Sequence, residues 1–369
     1  MNILFYLRTS FHPENGGIAN VSLHLGKQLM ELGHNVTFLS AKQNRDVYIE
    51  QYFLPDAVDA ESRQNNEFVE QLIVKKNIDI IVNQNGTSPY VQEVYQWALQ
   101  SKTKIITVLH SSLHGIYGIN AKFIPLHSFL RNFHLKGIAN ALLLQYFKRQ
   151  YGRFLLNEIE KSSRVVTLSE KFFDELVWFT GKDKEKMVAI PNCLTLQGAE
   201  YNKSIKQKEI LFVGRLSKEK RVDLLLDIWA KICKKYPDWK LTIVGSGSQK
   251  QTTEIMNHYK KLNLPRVDFV GYKIPLEYYK RASIFCMTSA FEGFGLVLVE
   301  AMACGCVPLA FNSYANVTDI IDDQKNGLLI KPFDVDEYAE KLSGLMENKD
   351  LLERYAECAV EKSKEYLPE

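Results

Sequence analysis

Several features that would assign this chain to a specialised class are scarce or missing. No run of about 18 apolar residues occurs, so no segment is expected to cross a bilayer as a helix. The formal net charge is only +3, and no stretch combines dense lysine and arginine with interleaved aromatic residues, which argues against a nucleic-acid partner. The six cysteines show no Cys-x-x-Cys spacing and are expected to be reduced core residues of a cytoplasmic protein.

The common nucleotide-binding motifs are also incomplete. Neither Gly245-Ser246-Gly247 nor Gly293-Phe294-Gly295 continues into Gly-x-Gly-x-x-Gly, and no Gly-x-x-x-x-Gly-Lys-Ser/Thr occurs. A dinucleotide oxidoreductase and a Walker-type ATPase are therefore both disfavoured. The N-terminal segment Asn2–Leu7 lacks a basic flank and a long apolar stretch, so it is expected to be a first strand rather than a signal peptide.

What the chain does contain is an alternation of strand-sized apolar runs and helical patterns. Its 369 residues, 46% of them hydrophobic, predict a folded chain of two domains. The expected strands are 3–7, 36–39, 78–82, 105–109, 165–168 and 188–190 in the first half, and 210–213, 241–244, 267–270, 284–287, 307–311 and 328–330 in the second. This order predicts two doubly wound, Rossmann-like α/β domains with parallel sheets, and a ligand at the strand ends in a cleft between them.

Domain limits follow from a polar stretch and from the last helical pattern. Residues 197–208 are polar and charged and form the best linker candidate. We therefore expect domains at 1–195 and 205–349, followed by a C-terminal helix in 350–369; the sequence leaves open whether this helix crosses back to the first domain. A helix over 18–32 is expected to end at Gly33, since glycine tolerates a positive φ.

The segment from Glu292 to Glu300 carries the strongest functional signal. A strand is expected to run into it and a helix to begin near Gly295, and the glycines there allow a ligand to approach the backbone. Unpaired N–H groups at a helix start bind anions. Two carboxylates would repel a phosphate, but they can accept hydrogen bonds from the hydroxyl groups of a sugar. A buried strand-to-helix crossover with one surface glutamate at each end remains the alternative.

A second cluster of candidate residues follows the strand at 210–213. Gly214-Arg215 and Lys220 lie in the loop before a helix expected near Val222. A forked guanidinium and an ammonium group at that position would suit a diphosphate. A solvated charged loop is the alternative for this segment.

The first half offers weaker candidates at the ends of its strands. Gly16-Gly17 forms a glycine-rich turn before a helix, and His110 ends the strand at 105–109. Ser169 and Asn192 follow the next two strands at equivalent positions. A histidine that serves only the structure remains the alternative for His110.

Taken together, these segments resemble the retaining family 4 glycosyltransferases, which have the GT-B fold. The resemblance covers most of the chain and is strongest from residue 210 to 330. It is carried by Gly16-Gly17, Gly33-His34-Asn35-Val36, His110, Val166-Thr167-Leu168-Ser169, Pro191-Asn192, Gly214-Arg215 through Lys220, Val267-Asp268-Phe269-Val270-Gly271 and the segment from Glu292 to Gly305.

The resemblance implies roles for the matching residues. Arg215 and Lys220 would hold the diphosphate of a nucleotide-sugar donor, Glu292 the sugar hydroxyls, and Glu300 the ribose. His110 would contact the transferred sugar near the reacting carbon. The other residues implied in donor binding are Gly16, Gly17, Ser169, Asn192, Gly214, Val270, Gly293, Phe294, Gly295 and Leu296.

These roles imply transfer of a hexose from a nucleotide-diphosphate sugar, with UDP favoured, to a hydroxyl of a glycan or polyprenyl-linked acceptor. Retention of configuration is implied by the family, and neither a metal nor another cofactor is expected, because fixed cations would stabilise the leaving diphosphate. Cell-surface polysaccharide synthesis is the expected pathway. The alternatives are a sugar-nucleotide epimerase on the same scaffold and a non-catalytic sugar-nucleotide-binding subunit.

The first half is also unevenly charged. From residue 94 to 157 there is no Asp or Glu, whereas lysines, arginines, aromatic residues and leucines are frequent. This composition suits a peripheral contact with an anionic membrane, at the inner face of the plasma membrane. A long core helix with a solvated basic face is the alternative.

One further pair of acids imitates a metal motif. Asp334-Val335-Asp336 has the Asp-x-Asp pattern, but it opens a helical pattern. Asp334 is therefore expected to cap that helix and not to bind a metal.

Overall fold

The computed structural model describes residues 1–86, 88, 93–113 and 133–368; for 133–141, 143 and 144 it describes the backbone only. The chain forms two compact units, Met1–Thr195 and Leu196–Glu369. Each unit is built on one sheet in which every described strand pair is parallel. No helix in the described part of the chain is both long and apolar enough to cross a membrane.

The sheet of the first unit has seven strands in the order β3-β2-β1-β4-β5-β6-β7. They are β1 Asn2–Leu7, β2 Asn35–Ser40, β3 Tyr52–Phe53, β4 Ile80–Asn83, β5 Lys104–Leu109, β6 Arg164–Thr167 and β7 Met187–Ala189. The described helices are α1 Gly17–Glu31, α2 Arg63–Lys76, α3 Glu93–Ser101, α4 Phe133–Lys161 and α5 Lys171–Thr180. The strand order reverses between β1 and β4, which is where doubly wound sheets place their ligands.

Both faces of this sheet are buried, because successive side chains of a strand point to opposite sides. Leu4 and Tyr6 of β1 pack in one core cluster with α2 and α3. Ile3, Phe5 and Leu7 pack in another cluster with α1. This two-sided burial explains why the strands consist of nearly continuous apolar runs.

The sheet of the second unit has six strands in the order β10-β9-β8-β11-β12-β13. They are β8 Gln207–Val213, β9 Lys240–Val244, β10 Val267–Gly271, β11 Ala282–Met287, β12 Val307–Phe311 and β13 Leu328–Ile330. Its helices are α6 Val222–Ile232, α7 Gln249–Leu262, α8 Leu276–Arg281, α9 Leu296–Ala303, α10 Val317–Ile320, α11 Val335–Glu347 and α12 Lys349–Ser363. The order reverses between β8 and β11, so the loops after these two strands lie side by side.

All twelve strands predicted from the sequence are confirmed, and no strand end differs by more than three residues. The very short strand β3 was not predicted, because two residues are too few for a periodic pattern. The linker predicted for 197–208 is shorter at its end, since Gln207 and Lys208 already belong to β8.

Two local predictions about helix ends are also confirmed. Gly33 follows α1 with a φ of 84°. Asp334 is the N-cap of α11, and its carboxylate accepts a hydrogen bond from the backbone N–H of Glu337 at 3.0 Å. The last helix, α12, continues into a short 3-10 turn, Lys364–Tyr366, and packs on α9 and β12 within the second unit.

Candidate functional site

The loop from β11 to α9 presents Glu292 next to a helix N-terminus. Gly295 caps α9 in the left-handed conformation, with a φ of 88°, which a glycine adopts without strain. Glu292 lies three residues earlier, and its Oε1 accepts a hydrogen bond from Ser289 Oγ at 2.6 Å. The carboxylate is therefore held in a defined position beside the unpaired N–H groups of the helix.

Lys220 reaches this carboxylate from the neighbouring loop. Its Nζ lies 2.5 Å from Glu292 Oε1, and both side chains are largely shielded from solvent. The two loops are also joined through their backbones, because Ala290 N donates to Glu219 O at 2.7 Å and Thr288 Oγ1 donates to Lys220 O at 3.0 Å. The structure thus brings together two of the predicted site residues.

Two glycines that follow β9 allow the loop after β8 to pack closely against the loop after β9. A Cβ on Gly245 would lie 1.8 Å from Gly214 O, and one on Gly247 would lie 2.2 Å from Leu216 O. The sequence pattern singled out Gly245 and Gly247 only as an incomplete dinucleotide motif. Their structural role is to let the backbones of these two loops meet.

Arg215 occupies the same loop as Lys220 but is held only loosely. Its side chain is 79% exposed, and its nearest carboxylate oxygen, Glu219 Oε1, lies 3.5 Å away. A guanidinium in this position is free to turn toward an incoming anion and to bind it in a bidentate manner.

Glu300 lies in the second turn of α9, beyond the Lys220–Glu292 pair. Its Oε2 accepts a hydrogen bond from Tyr279 Oη at 3.0 Å. Burial of the carboxyl group raises the pKa of Glu300 to about 7, and this hydrogen bond offsets only part of the effect. The group can therefore change its charge near neutral pH.

The loop after β12, which was not predicted from the sequence, supports the turn that contains Gly295. Ser313 Oγ donates to Ser289 O at 2.7 Å, and Asn316 Nδ2 donates to Phe294 O at 3.1 Å. The buried hydroxyl of Tyr314 would lie 2.8 Å from a Cβ at Gly295. Position alone could have indicated this loop, because it follows the strand next to β11 at the same edge of the sheet.

The remaining candidates of the second unit lie at the carboxyl ends of its strands or at the start of α9. Gly214 follows β8 and donates its N–H to Val244 O at 3.0 Å. Val270 lies at an irregularity in the pairing of β10 with β9. Phe294 is buried against Tyr366, and Leu296 is the first residue of α9. Gly293 lies in the same turn, between Glu292 and Phe294.

In the first unit, Gly16 and Gly17 open the helix α1. Gly16 has a φ of 104°, and no atom lies within 4 Å of a Cβ built on either glycine. The turn before them is fixed by Asn15, which donates to Ser10 O at 2.7 Å, and by Asn44, which accepts from Ser10 Oγ at 2.6 Å. The glycine pair therefore offers open backbone on a well-supported loop.

His110 directly follows β5 and is buried. Its Nε2 lies 2.6 Å from Oε1 of Gln84, the residue that directly follows β4. Burial lowers the pKa of His110 to about 4, so the ring is neutral at physiological pH. Gln84 was not among the residues proposed from the sequence.

Ser169 and Asn192 also lie at the strand ends predicted from the sequence. Ser169 is buried after β6, and its Oγ accepts a hydrogen bond from the backbone N–H of Lys171 at 3.2 Å, which supports the start of α5. Asn192 follows β7 and is half-buried. The arrangement in each unit collects polar groups at the carboxyl edge of the sheet.

Two family models match adjacent parts of the chain. The model described as Glycosyltransferase Family 4 matches residues 15–197, and the model described as Glycosyl transferases group 1 matches residues 197–362. The chain belongs to the family 4 glycosyltransferases. These matches confirm membership of the family that the sequence resembles.

Curated relatives of this glycosyltransferase carry related names. An uncharacterized glycosyltransferase of Haemophilus influenzae is 27% identical over 91% of this chain and 88% of that protein. The N-acetylgalactosamine-N,N'-diacetylbacillosaminyl-diphospho-undecaprenol 4-alpha-N-acetylgalactosaminyltransferase of Campylobacter jejuni is 28% identical over 60% of this chain and 61% of that protein.

The glycosyltransferase also has the fold of a solved structure. The Anabaena protein HepE in complex with UDP-glucose gives a TM-score of 0.77 at 18% identity, covering 100% of this chain and 95% of that chain. With the two parallel-sheet units described above, this likeness confirms the predicted GT-B fold.

Proposed function

We propose that this glycosyltransferase moves a hexose from a UDP-sugar to a hydroxyl of a glycan or polyprenyl-linked glycan, with retention of configuration and without a metal. The observation that carries the proposal is the Lys220–Glu292 pair at the start of α9, with Arg215 in the same loop as Lys220. This arrangement combines cations for a diphosphate with a carboxylate for sugar hydroxyls.

The proposed roles follow from the charges that develop when a glycosyl–phosphate bond breaks. Negative charge grows on the leaving diphosphate, and positive charge grows on the sugar. Lys220, Arg215 and the first N–H groups of α9 would stabilise the diphosphate as a preorganised set of donors. They would thereby take the part that a metal ion plays in other transferases.

The two glutamates would hold different parts of the donor. Glu292 is fixed by Lys220 and Ser289 and retains lone pairs for sugar hydroxyls. Glu300 would accept hydrogen bonds from the ribose in its ionised form. His110, in the first unit, would contact the transferred sugar, as the family resemblance implies.

The choice of donor and acceptor is supported by the relatives. HepE was solved with UDP-glucose, which favours a UDP-sugar. The name of the Campylobacter jejuni enzyme specifies a diphospho-undecaprenol-linked acceptor, which favours a polyprenyl-linked glycan in cell-surface polysaccharide synthesis. The stereochemical outcome is taken from the family resemblance.

Donor binding and transfer can be tested in two steps. First, a thermal-shift series with UDP-, GDP- and ADP-sugars should show the largest stabilisation with a UDP-sugar. Second, release of UDP should increase when a polyprenyl-linked glycan is added, and NMR of the product should show the anomeric configuration of the donor. Both steps should be unaffected by EDTA.

The alternatives give different outcomes in the same experiment. A sugar-nucleotide epimerase would convert one UDP-sugar into another without an acceptor. A binding subunit would be stabilised by the donor but would release no UDP under any condition. A GDP- or ADP-sugar as the best ligand would refute the choice of UDP and leave the transferase assignment intact.

We further propose that helix α4 docks on an anionic membrane surface at the inner face of the plasma membrane. Leu142, Tyr146, Arg149 and Arg153 are exposed and follow each other at spacings of four, three and four residues, so they share one face of the helix. Apolar and cationic side chains on one helix face suit a negatively charged lipid surface. The basic residues at 114–132 that also suggested this contact lie outside the described residues.

Vesicle co-sedimentation tests this contact. The protein should sediment with vesicles that contain anionic lipid, less so at high salt, and not with neutral vesicles. Replacing Arg149 and Arg153 by glutamate should abolish sedimentation, whereas the same charge change at Lys250 and Lys261 on the exposed side of α7 should have little effect. Equal sedimentation of both double variants would refute this membrane contact.

A further inference from the structure

The contact between His110 and Gln84 defines which ring nitrogen carries the proton. The ring Nε2 lies 2.6 Å from the carbonyl oxygen Oε1 of Gln84, and both residues are buried. With Oε1 of Gln84 facing the ring, the contact is a hydrogen bond that Nε2–H donates, because a carbonyl oxygen can only accept. A neutral imidazole has one N–H, and Nδ1 is therefore left as an acceptor.

From this geometry we infer that Gln84 is a positioning residue, which fixes His110 as the Nε2–H tautomer and presents Nδ1 as an acceptor for a hydroxyl group of the transferred sugar. The inference rests on the proposed function of His110 as a sugar contact. The inference adds Gln84, which follows β4, to the site residues. The Gln84 side chain acts through His110 and does not touch the substrate.

The backbone around Gln84 is built to bring these two side chains together. Gly86 N donates to Val108 O at 3.2 Å, so the turn after β4 lies directly on the end of β5. A Cβ at Gly86 would lie 2.6 Å from both Thr107 Cγ2 and Val108 O. Only glycine permits this approach, and the approach places Gln84 next to His110.

The segment after His110 is anchored independently. The buried carboxylate of Glu175 on α5 accepts hydrogen bonds from Ser112 Oγ at 2.8 Å and from Leu113 N at 2.7 Å. His110 is thus held on one side through its ring and on the other through the loop that follows it.

The electrostatic surroundings agree with a neutral ring. Burial is the cause of the lowered pKa of His110. The carboxylate of Glu175 on α5 accepts hydrogen bonds from Ser112 and Leu113, which follow His110 by two and three residues. A histidine that stays neutral keeps the acceptor character of Nδ1 over the whole physiological range.

Nitrogen NMR of the whole protein with labelled histidine tests the tautomer directly, and its outcome does not depend on any activity. The signal of His110 is identified by its loss in the His110→Asn variant. We expect a protonated Nε2 and a non-protonated Nδ1 between pH 6 and 8. A protonated Nδ1 in the wild-type protein would overturn the inference.

Two substitutions at Gln84 extend the test to the reaction. Gln84→Leu removes the acceptor and should lower kcat about tenfold, the effect of one lost hydrogen bond of about 1.4 kcal/mol, with a smaller change in KM. Gln84→Glu keeps an acceptor but adds a charge that favours the imidazolium form, so its activity should rise with pH as the ring loses its proton. Gln100→Leu, at an exposed position of α3, is the matched control and should behave like the wild type.

The outcomes separate this inference from the proposed function. Wild-type kcat together with an unchanged tautomer in Gln84→Leu would refute the role of Gln84. If Gln84→Leu fails to fold, the wild-type spectrum and the pH profile of Gln84→Glu still decide the question. If the wild type transfers no sugar, the proposed function fails, whereas the tautomer result stands alone.

Discussion

Lys220 and Glu292 are 72 residues apart in the chain, yet they form an ion pair of 2.5 Å at the start of helix α9. Their side chains are only 15% and 11% exposed, so water screens the pair weakly. Removing one partner leaves a shielded charge without compensation. The pair therefore links the geometry of the candidate site to the stability of the second unit.

A double-mutant cycle of Lys220→Met and Glu292→Gln should show this coupling. We expect an interaction energy of about 1–3 kcal/mol in the free energy of unfolding, because the residues are in direct contact and poorly solvated. The exposed pair Arg63–Glu67 is the control and should give about 0.5 kcal/mol or less. Equal coupling energies for the two pairs would contradict the prediction.

Arg215→Ala and Lys220→Ala should each weaken transition-state binding. We expect each variant to lose about 2–4 kcal/mol of transition-state stabilisation, measured from kcat/KM for the UDP-sugar, which is the range for removing one preorganised group. Lys218→Ala provides the control, because Lys218 is exposed in the same loop and has no assigned role. Near-normal turnover of both variants would defeat the assignment of the diphosphate site.

The raised pKa of Glu300 predicts a pH-dependent affinity for UDP. Below about pH 7 the carboxyl group is protonated and loses part of its capacity to accept hydrogen bonds from ribose hydroxyls. UDP should therefore bind more tightly as the pH rises through 7. The measurement is the dissociation constant of UDP, determined by calorimetry for the wild type and for Glu300→Gln. The ratio of the two constants cancels the effect of the titration of UDP itself. A pH-independent ratio would contradict the ribose contact.

The raised pKa of Glu300 also predicts that the free energy of unfolding falls as the pH rises, whereas the affinity for UDP increases. The folded-state pKa is higher than that of the unfolded chain, so the folded protein binds the proton more tightly. Relative to Glu300→Gln, the wild type should lose about 1–3 kcal/mol of stability as the pH rises from about 4.5 to 7. Denaturant unfolding at several pH values measures this difference. It is independent of any ligand.

Substitutions at Tyr314 and at Gly295 are expected to have different effects on the free energy of unfolding. In the described part of the chain the buried hydroxyl of Tyr314 has no hydrogen-bond partner, so Tyr314→Phe should be neutral or stabilise by up to about 1 kcal/mol. Gly295→Ala should destabilise, because its φ is 88° and the new methyl group would meet that hydroxyl. Adding Tyr314→Phe should recover the steric part of this loss only.

Gly181→Ala serves as the control for the backbone part of the effect. Gly181 has a φ of 71°, and no atom lies within 4 Å of its Cβ position. Its substitution should cost about 1 kcal/mol from the backbone conformation alone. A cost at Gly295 no greater than at Gly181, measured by chemical unfolding, would show that Tyr314 does not restrict the turn.

Local patterns in the sequence were sufficient to predict the secondary structure and the residues that begin or end individual helices. The strand limits follow from apolar runs that are buried on both faces, and the cap at Asp334 follows from a hydrogen bond within one turn of helix. The positions of Arg215, Lys220, Glu292 and His110 at strand ends also followed, because a parallel sheet collects its strand ends at one edge.

What only the tertiary structure decided is which of these side chains meet. The pairs Lys220–Glu292, Gln84–His110 and Tyr279–Glu300 join segments that are 72, 26 and 21 residues apart. Each depends on which strands lie side by side in a sheet, and the Gln84–His110 pair depends also on Gly86, which lets the turn after β4 approach β5. Periodicity encodes which face of an element is buried, a property of neighbours in the chain, whereas these contacts depend on how separate strands are placed side by side.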